Sequence, residues 1–226
     1  MMQLLLPGLY QFKLGMVNAY LLEDDYGATL IDGGDVKNAD TVISGLRSRG
    51  HQLANVRFVL THLHYDHAGS AYALQAHGMG AAIMHPLDGI DVAQGIQMRT
   101  FVLSWPFSLL QRQFDKRPPT TGQPIEVVSD AIDGYAITPA LHVIHTPGHT
   151  AGHISLLWQR HGGVLVAGDA FTNVFGLRHA VGHEDPALAK QSRAHLGILQ
   201  YAHLVVGHGK AIIGDASRQV RHAFGN

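Results

Sequence analysis

Thr61-His62-Leu63-His64-Tyr65-Asp66-His67 puts four possible metal ligands into six residues. Imidazole and carboxylate donors suit hard-to-borderline cations, and such a density is rare unless the backbone wraps around an ion. Upstream, Val56 to Leu60 is a continuous apolar run of the buried-strand type, so the histidines stand at the end of a strand. On a strand His62 and His64 share a face, and a tight turn after them brings Asp66 and His67 round toward the same point. The loop has the makings of two adjacent metal sites.

Three later segments have the same form, an apolar strand ending in a polar residue bracketed by glycine: Thr146-Pro147-Gly148-His149, Ala167-Gly168-Asp169 and Val206-Gly207-His208-Gly209. Each places a possible ligand at a strand end, where the functional loops of layered α/β domains gather. Taken singly, His149 or His208 reads as a satisfied structural histidine. Taken with His62 to His67, both read as ligands.

Around these motifs the chain alternates short strands with turns. Leu9–Leu14, Ala19–Glu23 and Ala28–Ile31 form a meander that ends in Asp32-Gly33-Gly34, and Asn38–Arg49 has helical spacing of Ala39, Val42, Ile43 and Leu46. A short helix is expected over Ser70–His77 and a buried strand over Ala81–Met84. Ile125–Val128, Tyr135–Ile137, His142–His145, Ile154–Trp158 and Val164–Ala167 read as a second series of strands forming a second sheet. A helix from about Pro186 to Leu199, a strand Leu204–Val206 and a terminal helix over Asp215–Ala223 follow. No repeat or linker stands out, so residues 1–226 are expected to form a single domain. Between about 87 and 124 Phe101, Trp105, Phe107, Leu109, Leu110 and Phe114 crowd together without strand alternation, which predicts a helical insertion.

Composition narrows the chemistry. The 226 residues contain no cysteine and 17 histidines, so thiolate zinc sites, disulfides and cysteine nucleophiles are excluded and any metal is held by His and carboxylate. Lys plus Arg total 16 against 17 for Asp plus Glu, a formal net charge of −1, so nothing global attracts nucleic acid or an anionic membrane. The segment MMQLLLPGLYQF has no basic leader or cleavage site, and no stretch approaches the ~18 to 20 apolar residues of a membrane span. A cytoplasmic protein is expected.

The sequence resembles the metallo-β-lactamase superfamily, whose His-x-His-x-Asp-His hallmark stands here as His62 to His67. The later motifs match in order, as does the N-A-Y-L-L…L-I-D-G-G pattern between Asn18 and Gly34. The resemblance implies an α/β fold, the αβ/βα four-layer sandwich of two facing mixed β-sheets with helices outside. It also implies two divalent metals, zinc first with iron or manganese as alternatives. His62, His64 and His149 would hold the first, Asp66, His67 and His208 the second, and Asp169 would bridge them; Asp66 also counts as catalytic. A hydroxide shared between two such cations exists near neutral pH and attacks a polarised carbonyl or phosphoryl group.

Departures from family patterns narrow the substrate. Zinc β-lactamases either use a cysteine ligand or lack the bridging aspartate, so antibiotic hydrolysis is disfavoured. The seven-ligand set is similar to that of the glyoxalase II group and the acyl-homoserine lactonases. Yet only 18 residues follow His208, without the helical region that helps glyoxalase II hold glutathione, and Thr172 stands where the best-known lactonases have tyrosine, although Tyr65 offers a phenol from another direction. The expected activity is cleavage of a small ester, thioester or lactone. The alternatives are a phosphodiesterase or nuclease, for which only Arg99, Arg112, Lys116 and Arg117 cluster, a mononuclear-iron sulfur dioxygenase, and a non-hydrolytic metal-binding domain.

Around the ligands, Asp32 reads equally as a turn residue or as the acceptor that fixes a ligand histidine. Thr61 and Thr150 read as strand-end hydroxyls, His153 as a buried structural histidine, and His51, His77, His161 and His222 as surface positions. The 87–124 segment is expected to cap the metals, select an apolar acyl group and offer a homodimer contact. No nucleic-acid or membrane partner is expected.

Overall fold

The computed structural model describes residues 2–103, 107–111 and 121–224. The chain folds into two compact units, Met1–Met98 with Thr120–Ala131 and Arg99–Pro119 with Ile132–Asn226.

The first unit is built on a seven-stranded sheet. β1 (Met2–Leu6), β2 (Leu9–Leu14), β3 (Val17–Asp24) and β4 (Gly27–Ile31) form an antiparallel meander, and β4 then pairs in parallel with β5 (Val56–Val59). β5 pairs in parallel with β6 (Ala82–Ile83). The crossover from β4 to β5 carries α1 (Ala39–Ser48), which buries Ala39, Val42, Ile43 and Leu46, the stripe that the sequence spacing predicts. Gly45 lets α1 approach β2, because a Cβ there would stand 2.2 Å from Phe12 Cε1. The core behind the sheet gathers Phe12, Leu30, Leu46, Phe58, Leu60 and Leu74. α2 (Tyr65–Ala68), α3 (Ala71–Ala76) and α4 (Pro86–Val92) follow β5 and β6.

The second unit opens with β7 (Val102–Leu103). The strand β8 (Val127–Val128) that comes next in the chain belongs instead to the first unit, pairing in parallel with β6. This corrects the expectation that Ile125–Val128 begins the second sheet. A two-residue strand has too little length to signal its partner, and hydrogen bonds from Ala82 N–H to Glu126 O and from Met84 N–H to Val128 O decide it. The second sheet starts at β9 (Ala136–Thr138), with β10 (Leu141–His145), β11 (Ile154–Trp158) and β12 (Val164–Val166). Short strands β13 (Thr172–Asn173) and β14 (Gly182–His183) precede helix α5 (Pro186–Ile198). β15 (His203–Val205), β16 (His208–Gly209), β17 (Ile212–Ile213) and helix α6 (Ala216–Phe224) complete the unit. β15 joins β12 in parallel and β17 closes the edge, so the strand order is β17-β15-β12-β11-β10-β9. Asp185 caps α5 by accepting from Ala187 and Leu188 N–H, with Pro186 at the first turn.

Among its described residues, the segment 87–124, expected to be a helical insertion, is helical only in part. α4 accounts for its start, and a single 3₁₀ turn covers Phe107–Leu110. β7 is extended because it finds a partner in β14, and the Gln111 amide bonds Leu103 N–H and Phe101 O. Val102 and Leu109 are exposed, whereas Trp105 and Phe114, with the side chains of Phe107 and Leu110, lie outside the described residues. Among the described residues no helix is long and apolar enough to cross a membrane.

Candidate metal centre

In the first unit the apolar strand β5 delivers the chain into the histidine loop, as its sequence predicts. The His62 ring lies edge-on to His64, with centroids 4.7 Å apart, and 4.2 Å from the His67 ring. His62 and His67 are fully buried and His64 nearly so. Asp66 sits in the first turn of α2 with its Oδ2 3.9 Å from His67 Nε2. Tyr65 beside it is exposed.

Asp32, at the turn after β4, anchors this loop. Its carboxylate accepts from Thr61 N–H at 2.8 Å, from the Thr61 hydroxyl at 2.9 Å and from His67 Nδ1–H at 2.8 Å. With the Thr61 proton directed at Asp32, His62 Nδ1–H donates to Thr61 Oγ1 at 3.0 Å. Both histidines are thereby held in the tautomer with a lone pair on Nε2, the form that ligates metal. Asp32 is thus the positioning acceptor and not merely a turn residue, and Thr61 is part of the same network. Asp32 itself is held at a positive φ of 60°.

In the second unit three separate segments bring His149, Asp169 and His208 together. Asp169 Oδ2 lies 3.4 Å from His149 Nε2 and 3.2 Å from His208 Nε2. His149 and Asp169 are buried, and His208 is partly exposed. His149 Nδ1–H donates to Gly182 O at 2.8 Å, which leaves its lone pair on Nε2. The loop is fastened from the same stretch: Glu184 N–H and Asp185 N–H donate to His149 O and Gly148 O, and Glu184 accepts from Ala151 N–H and pairs with Arg99. Gly148 allows this approach. Its φ is +124°, and a Cβ there would stand 2.1 Å from Ala189 N at the start of α5.

Asp169 is fixed through its backbone. Asp169 N–H donates to His153 Nε2 at 3.0 Å, so the His153 proton is on Nδ1 and points at Thr146 Oγ1, 2.8 Å away. Thr146 Oγ1 and Ser155 Oγ are 3.1 Å apart, and Ser155 bonds Ala167 O. His153 is therefore the buried structural histidine that the sequence suggests, with a defined task. Thr172, noted for replacing a tyrosine, bonds His208 O through its hydroxyl and braces β16.

Four residues escaped sequence reasoning. Asp88, fully buried on α4, accepts from Leu63 N–H between the two loop histidines. Arg99 and Glu184 clamp the His149 loop, and nothing in their spacing, 85 residues apart, signals a pair. His183 is 2% exposed, stacks edge-on against His149 with centroids 5.9 Å apart, and forms no hydrogen bond at either ring nitrogen. Burial first, then the neighbouring His149 and Arg193, pull its pKa down to about 3, so it packs behind the ligand as a neutral ring. Of the histidines taken as surface positions, His51 instead lies 2.6 Å from Glu23, beside Arg49.

Both donor sets consist of imidazoles and carboxylates, with the Nε2 lone pairs of His62, His67 and His149 fixed by second hydrogen bonds, and in the second a single carboxylate oxygen lies within 3.4 Å of the Nε2 atoms of both His149 and His208. This fits divalent cations of the zinc, iron or manganese kind.

The chain is similar over part of its length to several curated proteins. An uncharacterized protein, YobT, of Bacillus subtilis strain 168 is 32% identical over 158 residues, 69% of this chain and 62% of its own length. A hydroxyacylglutathione hydrolase of Alkalilimnicola ehrlichii is 30% identical over 143 residues, 63% of this chain and 41% of its own. An N-acyl homoserine lactonase of a Bacillus species is 25% identical over 177 residues, covering 67% and 62%. The chain thus spans between about two fifths and two thirds of the length of the curated relatives it matches. Among solved structures, a metallo-β-lactamase of Cronobacter sakazakii superposes with a TM-score of 0.69 at 20% identity, over 92% of this chain and 77% of that one. The metallo-β-lactamase SMB-1 gives 0.69 at 23%, over 89% and 77%. These likenesses establish the fold. The family model for the metallo-beta-lactamase superfamily matches residues 13–208, from β2 to the last motif histidine, and to that superfamily the chain belongs.

Proposed function

We propose that the two donor sets serve one dinuclear metal hydrolase that cleaves a small ester, thioester or lactone. The observation that carries this reading is the convergence of Asp169 Oδ2 on His149 Nε2 and His208 Nε2, two histidines that the family motifs assign to different cations. In the partition implied by the family motifs, His62, His64 and His149 would hold one cation, Asp66, His67 and His208 the other, and Asp169 would contact both. Bound there, two divalent cations supply Lewis acidity and lower the pKa of water toward neutrality.

The residues of the chain do the rest. Asp32 and Gly182 O keep His67 and His149 in the ligating tautomer, so no reorganisation is needed when substrate arrives. The His153 relay keeps the Asp169 carboxylate aimed at the two histidines. Asp66, whose carboxylate is partly exposed, contacts the reacting water as the catalytic carboxylate, and the exposed phenol of Tyr65 donates to a substrate oxygen. The hydroxyacylglutathione hydrolase and lactonase relatives support the thioester and lactone classes. The reading takes 1–226 as one catalytic domain acting in the cytoplasm on a small molecule with an apolar acyl part. The segment at 87–124 contributes selectivity and a homodimer contact.

The test is metal analysis of the purified protein beside a hydrolysis panel of lactones, thioesters, β-lactams and phosphodiesters. Two metals per chain with lactone or thioester turnover are expected. In Asp66→Ala and His208→Ala the content should fall toward one. One iron with oxygen consumption selects the dioxygenase, and phosphodiester or β-lactam turnover overturns the substrate class.

A further inference from the structure

Between α5 and α6 lies a groove of about 720 Å³ that none of the metal ligands line. Its walls carry three cations, Lys190, Arg193 and Arg221, and the apolar side chains of Ala194, Ile198 and Phe224. Among the described residues no carboxylate lines it, and neither helix contains an Asp or Glu. The acids nearest in sequence are committed elsewhere: Asp185 caps α5 and Asp215 pairs with Arg218. In a chain of net charge −1 this is a local concentration of positive charge.

Arg193 makes the groove more than a basic surface. It is 9% exposed, its Nη1 is enclosed, and that atom makes no hydrogen bond. Burial alone pulls its pKa below the ordinary guanidinium value. A buried cation without a hydrogen-bonded anion is strongly destabilising, and an anion supplied from outside the chain would relieve that cost. On its other side Arg193 borders a cleft shared with His149, Asp169 and His183, too small to admit a water molecule. The groove is therefore the side from which a counter-ion can approach the guanidinium, although Nη1 itself is enclosed. Ile198, 71% exposed at the end of the same helical stripe, gives the groove an apolar run-out beside its charged end.

We propose that the α5/α6 groove binds an amphiphilic oxyanion, an alkyl chain ending in a carboxylate or phosphate. The head group pairs with Arg193, Lys190 and Arg221, and the tail lies along Ala194, Ile198 and Phe224. Charge selects the head and apolar burial holds the tail. The site is separate from the hydrolytic reading and stands or falls without it.

Isothermal titration calorimetry of the purified protein, at concentrations below micelle formation, tests it with decyl phosphate, decanoate, inorganic phosphate and decyltrimethylammonium. Decyl phosphate or decanoate should bind one per chain, at least about tenfold tighter than inorganic phosphate, and the alkyl cation should not bind. The stronger of the two alkyl anions identifies the head group. Arg193→Met should weaken binding by about tenfold or more while raising the melting temperature of the ligand-free protein, because it replaces an uncompensated buried cation by an apolar chain. A residue kept only for packing would lower that temperature. Arg221→Gln, on the exposed wall, tests charge without touching the interior and should weaken binding several-fold. Gly197→Met should remove the advantage of the alkyl tail, since a Cβ at Gly197 meets nothing closer than 3.9 Å and the side chain fills the groove. The proposal is overturned by wild-type protein that binds neither alkyl anion in the millimolar range, by affinity unchanged in both arginine variants, or by equal uptake of the alkyl cation.

Discussion

The two ligand-bearing regions reach a similar donor chemistry by opposite routes. The first unit packs His62, His64, Asp66 and His67 into one loop after β5 and anchors it with a side chain, Asp32, that serves Thr61 and His67 at once. The second gathers His149, Asp169 and His208 from three segments and anchors them through the backbone: Gly182 O on His149, Asp169 N–H on His153, and Gly148 pressed against Ala189. A contiguous motif needs one buried acceptor to set its tautomers. A dispersed one needs main-chain contacts to fix where each loop lies. The first region should therefore be sensitive to charge and proton position, and the second to backbone shape.

The largest expected effect comes from the ligand proposed to bridge. Asp169→Asn keeps the volume and the backbone bond to His153 but removes the shared negative charge, so turnover on the lactone or thioester substrate should fall by about 100-fold or more, with little change in melting temperature. Undiminished turnover would remove the bridging role. Next, Gly148→Ala places a Cβ 2.1 Å from Ala189 N at a φ of +124°, and should cost about 3 kcal/mol in denaturant unfolding. A neutral result there would mean that shape is not what fixes the second region.

Asp32→Asn sharpens the contrast from the other side. Its amide can still accept from Thr61 N–H, but the group facing His67 Nδ1–H then donates, which turns the imidazole to the tautomer with its proton on Nε2. A loss of about 2 kcal/mol is expected, with metal affinity lowered about tenfold or more. If metal content were untouched, the tautomer argument would fail.

The smallest effect lies away from both regions, at Glu23. Burial raises its carboxyl, but hydrogen bonds from Arg49 and His51 outweigh this and hold its pKa below the ordinary glutamate value. A depressed carboxyl contributes stability above its unfolded pKa and loses it as pH falls through the folded one. Glu23→Gln should lower the melting temperature slightly at neutral pH, and the gap from wild type should close in acid. A gap that widened in acid would contradict the sign.

Contiguity decided what was legible. His62 to His67 could be read directly because the ligands and the strand that delivers them are neighbours in sequence, and α1 could be read because its buried stripe repeats with the helical period. His149, Asp169 and His208 were readable as strand-end polar residues, and their company with the first motif made them candidate ligands. Asp88, His183, Arg99 and Glu184 had no such signal, because each acts on a loop far from it in sequence.

The sequence by itself determined the candidate donor residues, the excluded thiolate chemistry and the strand-turn-helix rhythm that belongs to the metallo-beta-lactamase superfamily, since these depend on residue type and local spacing. Only the tertiary structure decided that β8 completes the first sheet, that Gly182 O sets the His149 tautomer, and that Arg193 is buried without a bonded counter-ion. Those facts depend on which distant backbone and side-chain groups meet once water is excluded, and local patterning carries no record of such meetings.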